Sequence, residues 1–342
     1  MSYPNKGDVM AIRGPLVDGL GRIHSDLRLS VTDRCNIRCF YCMPAENVVF
    51  LPRKHLLTFE EMERFARVAA ALGIRKLRLT GGEPLVRRDL PVLIRKLAEI
   101  PGIQDIALTT NGILLADQAQ ALKDAGLKRL NISLDVLSEE KFLQVTRREG
   151  LDRVLQGVFA AKELGFDKIK LNAVAVRGLT EEEVEPFGRF AREHDLEVRF
   201  IEYMPLDADG QWDNSDVLSG DEILRILTET IGPLERVPVA DPSQPSTDYG
   251  FTDGKGRVGF INPITQPFCG SCNRLRLTAE GKIRNCLFAL DEWDARELLR
   301  KDASDDDLAD LIRDCVQHKK PGHGVNSDEF IKPDRAMYQI GG

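Results

Sequence analysis

The sequence predicts an α/β fold: a partial barrel of six β/α units, open at one side, followed by a smaller C-terminal appendage. Three observations lead there. Between Leu27 and Glu202, short apolar runs alternate with longer amphipathic stretches, the rhythm of strands and helices around a parallel sheet. Glycine and polar residues gather just after the short runs. The chain also has 342 residues, more than the ~200 to 250 that a single α/β barrel absorbs.

In chain order, residues 1–22 read as an N-terminal extension of mixed Pro, Gly and charge, without the apolar core of a secretory signal. Six strands centre on Leu27–Val31, Lys76–Leu79, Asp105–Leu108, Arg129–Ile132, Lys168–Ala173 and Glu197–Ile201. Thr58–Leu72 reads as a helix: Thr58 and Glu61 have capping-box spacing, and Met62, Phe65, Ala66 and Ala69 form one apolar face. Thr180 with Glu183 repeats that device. After the strands come Thr32–Cys42, Thr80-Gly81-Gly82-Glu83-Pro84, Thr109-Thr110-Asn111-Gly112 and Ser133-Leu134-Asp135. The fifth strand carries Lys170 and Asn172, and the sixth runs into Glu202-Tyr203-Met204. A parallel barrel opens all its carboxyl strand ends on one face, so these six segments converge on one site.

Past Pro205 the pattern changes. Residues 206–255 read as a connecting region of long loops around a helix near Asp221–Thr230. A second cysteine group, a helix near Asp305–His318 and a glycine-rich tail follow. The expected organisation is an extension over 1–22, the barrel over 23–205 and a C-terminal region over 206–342.

Apolar residues make up 42% and charged residues 30% of the chain, enough for a sizeable core. Lys and Arg number 47 against 54 Asp and Glu, a net charge of −7. The molecule as a whole is therefore not drawn to nucleic acid or anionic membrane, and an anionic ligand needs a local basic cluster. No stretch approaches the ~18 apolar residues of a membrane span, and a cytoplasmic location is expected.

Seven cysteines in a reducing compartment serve as metal ligands or catalytic groups before disulfides, and six of them fall into two tight groups. Cys35, Cys39 and Cys42 form C-x3-C-x2-C directly after the first strand. Three thiolates can cap three irons of a 4Fe-4S cluster, whose usual complement is four cysteines, leaving one iron open. The competing reading is a zinc knob, but structural zinc takes four ligands and the nearest further donor is His55. Cys269, Cys272 and Cys286 form C-x2-C-x13-C, again three ligands, with a zinc ribbon as the alternative. Cys315 shares a helical face with Leu308, Leu311 and Ile312 and is expected in the core. Arg274 and Arg276 lie two apart in a strand-like run. They share a face and suit bidentate binding of phosphate or carboxylate, with surface charge as the alternative.

The first cysteine loop, with an aromatic before its last cysteine and Gly81-Gly82-Glu83-Pro84 following, resembles the signature of the radical S-adenosylmethionine (SAM) superfamily. Leu27-Arg28-Leu29-Ser30, the second cysteine group, Asn273-Arg274-Leu275-Arg276 and Gly341-Gly342 extend the resemblance to the GTP 3′,8-cyclase family of molybdenum-cofactor biosynthesis. It implies a TIM-like radical SAM barrel with two 4Fe-4S clusters and SAM, the first on Cys35, Cys39 and Cys42, the second on Cys269, Cys272 and Cys286. It further implies that Tyr41, Gly82, Ser133 and Met204 contact SAM. Arg28, Arg78, Thr109, Lys170, Arg274, Leu275 and Arg276 would contact GTP, with Arg274 and Arg276 counted among the catalytic residues. The implied reaction takes hydrogen from C3′ of GTP and joins C3′ to C8, giving a cyclised product for cyclic pyranopterin monophosphate synthase. An electron donor of flavodoxin or ferredoxin type is implied, and a homodimer is compatible.

The glycine pair at 81–82 is expected to let backbone approach the methionyl part of SAM, and Gly341-Gly342 to thread into the site. A triphosphate on a net acidic protein asks Arg28, Arg78, Lys170, Arg274 and Arg276 for a positive pocket. Two other readings stay open: a radical SAM enzyme acting on a peptide or another nucleotide with an auxiliary electron-carrying cluster, and a non-enzymatic zinc-binding scaffold.

Overall fold

The computed structural model describes residues 14–238, 241–301 and 303–341; most of the N-terminal extension and Gly342 of the tail lie outside the described residues. A short hairpin of β1 (Leu16–Val17) and β2 (Ile23–His24) leads into six repeating units. These comprise β3 (Asp26–Ser30), α1 (Phe59–Ala71), β4 (Lys76–Thr80), α2 (Leu90–Ala98), β5 (Asp105–Thr110), α3 (Leu115–Asp124), β6 (Arg129–Ser133), α4 (Glu139–Thr146), α5 (Leu151–Glu163), β7 (Lys168–Ala175), α6 (Glu181–His194) and β8 (Glu197–Glu202). The C-terminal region adds α7 (Gly220–Thr230), β9 (Leu234–Arg236), β10 (Thr247–Phe251), β11 (Arg257–Ile261), β12 (Arg274–Leu277), β13 (Lys282–Arg284), β14 (Trp293–Asp294), α8 (Ala295–Arg300), α9 (Asp305–Gln317) and α10 (Met337–Ile340).

All six expected strands are present, and β3 to β8 run parallel in sequence order. The C-terminal region does more than sit beside them. It lays β12 parallel on the free edge of β3 and β11 parallel on the free edge of β8, with antiparallel β13–β14 and β10–β9 outside. Among the described residues β14 and β9 do not pair, so the barrel stays open. Residues 206–255, expected as loops around one helix, also contain β9 and β10.

The core lies between the sheet and its helices. Leu27, Leu29, Leu77 and Leu79 point outward from β3 and β4 into α1, whose Met62, Phe65, Ala66 and Ala69 are fully buried. Truncating Phe65 to Ala there costs about 3–5 kcal/mol. The opposite sheet face, with the alternate residues, is left for the site. Thr58 caps α1 as expected: its Oγ1 accepts from Glu61 N at 3.1 Å, and the Glu61 carboxylate accepts from Thr58 N at 2.7 Å. The repeat at Thr180 and Glu183 does not form. Thr180 Oγ1 is occupied by Val176 N at 2.9 Å, and the Glu183 carboxylate accepts from Leu137 N and Lys141 Nζ. Tertiary partners have taken both halves of the box. Cys315 is fully buried beside Leu308 and Ile312. No helix among the described residues is long and apolar enough to cross a membrane.

Candidate active site

The loop after β3 is folded onto the ends of β4 and β5. Gly82 N donates to Thr32 O and Glu83 N to Arg34 O, both at 2.7 Å. A Cβ on Gly81 or Gly82 would collide with the carbonyl oxygens of Thr32 and Arg34. The glycine pair is thus required by the approach of the chain's own backbone, and both glycines also line the cavity. Glu83 fastens the next layer, accepting from Leu85 N at 2.9 Å, Thr110 Oγ1 at 2.7 Å and Asn111 N at 2.6 Å. Burial pushes its carboxyl up to about 7. The Asn111 amide donates to Asn36 Oδ1 at 2.8 Å and reaches Cys35 Sγ at 3.8 Å. Tyr41 Oη donates to Asp135 Oδ2 at 2.6 Å, and Asp135 Oδ1 accepts from Val174 N at 2.8 Å. Burial raises Asp135 to about 6. Burial also pushes the Cys35 thiol up to about 11, with Glu83 adding to it, and Cys42 up to about 12, with Cys35 adding.

Inside the barrel a row of cations crosses three strands. Arg276 of β12, Arg28 of β3 and Arg78 of β4 are in direct register. Like charges placed opposite one another destabilise a sheet, and Nε of both Arg28 and Arg78 is buried without a partner among the described residues. Burial brings Arg28 well below its ordinary range, with Arg276, Arg78 and Arg274 adding to the effect. Thr109 and Lys170 carry the face onward, through Asn131 in register between them. Lys170 Nζ pairs with Glu197 at 2.6 Å, and burial lowers it to about 8. Lys76 and Arg199 also line this cavity and were not legible as site residues. Their signal was present: each shares a strand face with a site-lining residue two positions away, Arg78 and Ile201.

The second triplet lies beside this row. Cys269 and Cys272 flank a single 3-10 turn, and Cys286 follows β13. Arg274 directs Nε and Nη2 at Cys272 Sγ, at 3.4 and 3.3 Å, while its guanidinium lies 4.8 Å from the centre of the Phe268 ring. Lys319 Nζ reaches the same sulfur at 3.4 Å. Burial alone would raise the Cys272 thiol, but Arg274 and Lys319 outweigh it and bring it to about 6. Burial pushes Cys269 up. Leu275 is a correction: strand alternation turns its side chain away from Arg274 and Arg276 into the core, where it is fully buried.

The segment 336–340 joins the two triplets. Ala336 and Tyr338 pack with Met43, Cys35 and Cys42, whereas Met337 and Ile340 pack with Met204, Leu206 and Cys286. Gly341, at φ +78°, is buried against Ser30 and Thr80, and its carbonyl accepts from Arg276 Nη1 at 2.9 Å. The expected entry of the tail into the site holds for Gly341.

One cavity of about 540 Å³ is lined by both cysteine triplets, the arginine row, Lys170, Thr109, Tyr41, Gly82, Ser133 and Met204. Of the expected site residues only Leu275 is absent from its wall. Among the described residues no three Cys, His, Asp or Glu side chains are grouped closely enough to hold a single metal ion. The arrangement can hold a large polyanion between two sets of three thiols.

Comparison with known proteins agrees. Residues 29–191 match the Radical SAM superfamily, and residues 196–325 match Molybdenum Cofactor Synthesis C. A GTP 3′,8-cyclase of Rhodopirellula baltica is 52% identical over 96% of this chain and 92% of its own length. One from Corynebacterium glutamicum is 44% identical over 96% and 89%. Molybdenum cofactor biosynthesis protein 1 of Drosophila melanogaster is 43% identical over 92% of this chain and 55% of its own length. Among solved structures, Streptococcus suis SuiB bound to S-adenosylmethionine superposes with a TM-score of 0.58, at 16% identity, over 85% of this chain and 68% of that one. That likeness speaks to the fold alone.

Proposed function

The chain belongs to the GTP 3′,8-cyclase family of molybdenum-cofactor biosynthesis, a radical SAM family, and on that premise we propose how its own residues divide the work. GTP is the substrate. Its C3′ hydrogen is removed, C3′ is joined to C8 of guanine, and the base-centred radical that results takes up one electron from the electron carrier and one proton, giving 3′,8-cyclo-7,8-dihydro-GTP. Two 4Fe-4S clusters and SAM fit the donors present: two sets of three cysteines facing one cavity. Bound there, the first cluster and SAM supply one-electron cleavage of SAM and hence the hydrogen-abstracting group.

Cys35, Cys39 and Cys42 hold the first cluster. Tyr41, Gly82, Ser133 and Met204 hold SAM, with the Tyr41 ring fixed by its bond to Asp135. Arg28, Arg78, Arg274 and Arg276, helped by Thr109, Lys170, Lys76 and Arg199, bind the triphosphate. They keep it still while the ribose faces the first triplet and the base faces Cys269, Cys272 and Cys286. Such fixed cations cost no reorganisation at the moment of reaction. The electron comes from a carrier of flavodoxin or ferredoxin type, and the product passes to cyclic pyranopterin monophosphate synthase, in the cytoplasm.

The observation that carries this reading is the in-register row Arg276–Arg28–Arg78 with its orphaned Nε atoms. A zinc scaffold has no use for it, and the several anionic oxygens of a triphosphate match three adjacent cations. The test is anaerobic incubation with SAM, reductant and each nucleoside triphosphate in turn, followed by product mass. Cyclised product from GTP alone is expected; turnover of ATP at the rate of GTP, or of no nucleotide, overturns the reading.

A further inference from the structure

Lys319 is buried, only 6% exposed, and among the described residues no carboxylate pairs with its side-chain nitrogen. Its contacts are Cys272 Sγ at 3.4 Å and Arg274 O at 2.9 Å. Burying an unpaired ammonium costs several kcal/mol, so a charged Lys319 needs an anion beside it. The neighbouring groups that can become anionic are the thiols of the second triplet. Arg274 already directs two N–H groups at the same sulfur.

The position of Lys319 is tightly held. It follows α9, whose Ile312, Cys315 and Val316 are locked in the core. The Cys315 carbonyl accepts from Asn285 Nδ2 at 2.8 Å, beside Cys286. From the other side the hairpin of β1 and β2 reaches in. Arg22 Nη2 donates to Lys320 O at 2.9 Å and Lys319 O at 3.4 Å, and Nη1 to Pro321 O at 3.3 Å and Cys269 O at 2.9 Å. One guanidinium thus ties the backbone of a ligand cysteine to the backbone that carries Lys319. Arg22 is itself fixed by Asp18 at 2.6 Å, and Asp18 also holds His24 at 3.1 Å.

We infer that Lys319, held in place by Arg22, is a positioning residue for the second centre: Lys319 donates to Cys272 Sγ and compensates the charge of the cluster. The inference rests on the assignment of Cys269, Cys272 and Cys286 as cluster ligands. Hydrogen bonds to ligating sulfurs and nearby positive charge raise the reduction potential of an iron-sulfur centre. Lys319 therefore makes the second centre easier to reduce.

The experiment uses the full chain with Cys35, Cys39 and Cys42 replaced by Ala, so that only the second centre remains, reconstituted anaerobically. Iron and sulfide are counted, and the centre is titrated against potential by electron paramagnetic resonance. The parent is expected to hold about four irons; parent chains without iron would overturn the ligand assignment itself, whatever Lys319 does. Lys319→Met should lower the midpoint potential and alter the resonance of the reduced centre, with Lys319→Arg returning both toward the parent. Arg22→Gln should shift them in the same direction by less. If Lys319→Met instead loses the cluster, its retention in Lys319→Arg supports a need for the cation, while equal loss in both variants points to packing and overturns the inference. An unchanged potential and spectrum in Lys319→Met at full iron content overturns it as well.

Discussion

Around Cys35, Cys39 and Cys42 the ionisable neighbours that shift the thiols upward include the carboxyl groups of Glu83 and Asp135, whereas around Cys272 the strongest opposing influence comes from Arg274 and Lys319. Cys35 and Cys42 are pushed to about 11 and 12, yet Cys272 is brought down to about 6. Each triplet offers the same number of donors. What differs is how willingly the surroundings accept negative charge, and that governs how strongly reducing a bound cluster is. A strongly reducing centre suits cleavage of SAM, and the first site provides the surroundings for it. At the second site the cations act on Cys272, beside the arginine row, while burial still pushes Cys269 up.

The comparison breaks most visibly when each triplet is removed in turn. Replacing Cys35, Cys39 and Cys42 by Ala should abolish 5′-deoxyadenosine formation. Replacing Cys269, Cys272 and Cys286 should leave slow, unproductive SAM cleavage but no cyclised product. Both are read by chromatography of anaerobic reactions, and equal phenotypes would erase the distinction drawn here.

Chemical labelling sharpens it next. In the cluster-free chain at pH 7, Cys272 is mostly thiolate while Cys35 is almost wholly thiol. After allowing for the weaker nucleophilicity of a low-pKa thiolate, iodoacetamide should modify Cys272 roughly 50-fold faster than Cys35. The advantage is expected to shrink as pH rises above 7, because Cys35 goes on gaining thiolate while Cys272 is already ionised, and to level off below pH 6, where both rates fall together. Peptide mass spectrometry over a pH series measures it.

Arg28→Ala should weaken GTP and ATP binding alike, by about tenfold or more for the loss of a charge-assisted contact, as read by calorimetry. Discrimination between the bases should survive, because both nucleotides carry the same phosphates. The smallest effect concerns stability. Arg28→Met removes one of three like charges in register, and the ligand-free chain should then melt a few degrees higher even as substrate affinity falls. A lower melting temperature would mean that the row is not strained in the absence of ligand.

The parallel strands were legible because Leu27-Arg28-Leu29 and its counterparts alternate with helical faces such as Met62, Phe65, Ala66 and Ala69. Their observed ends differ from the reading by a residue or two. Both triplets and the arginines were legible from spacing. The attachment of β12 to β3 and of β11 to β8 was not, since long-range pairing leaves no periodic mark on either strand. Lys76 and Arg199 were missed for a related reason: a charged residue inside a strand reads as surface until the closed face of the barrel is known. Leu275 was assigned with its neighbours as a run, although alternation alone would have turned it away. Thr180 and Glu183 show the opposite failure, where a local pattern was correct in spelling but both side chains had better offers from Val176, Leu137 and Lys141.

The pairing of Arg28 with Arg276 also sets an order of events during synthesis. β3 leaves the ribosome early, but the strand that completes its edge follows about 250 residues later. At about 5–20 residues per second that is a wait of roughly 12 to 50 s. During it the edge of β3 is unpaired, the row lacks Arg276, and the first cysteine loop has no segment 336–340 packed on it. An unpaired edge is open to wrong pairing, and a half-built metal site is open to wrong metals. Iron loading thus belongs after the last strands have docked, and slowing translation between residues 30 and 270 should lower the yield of cluster-bearing chains more than the yield of chain itself.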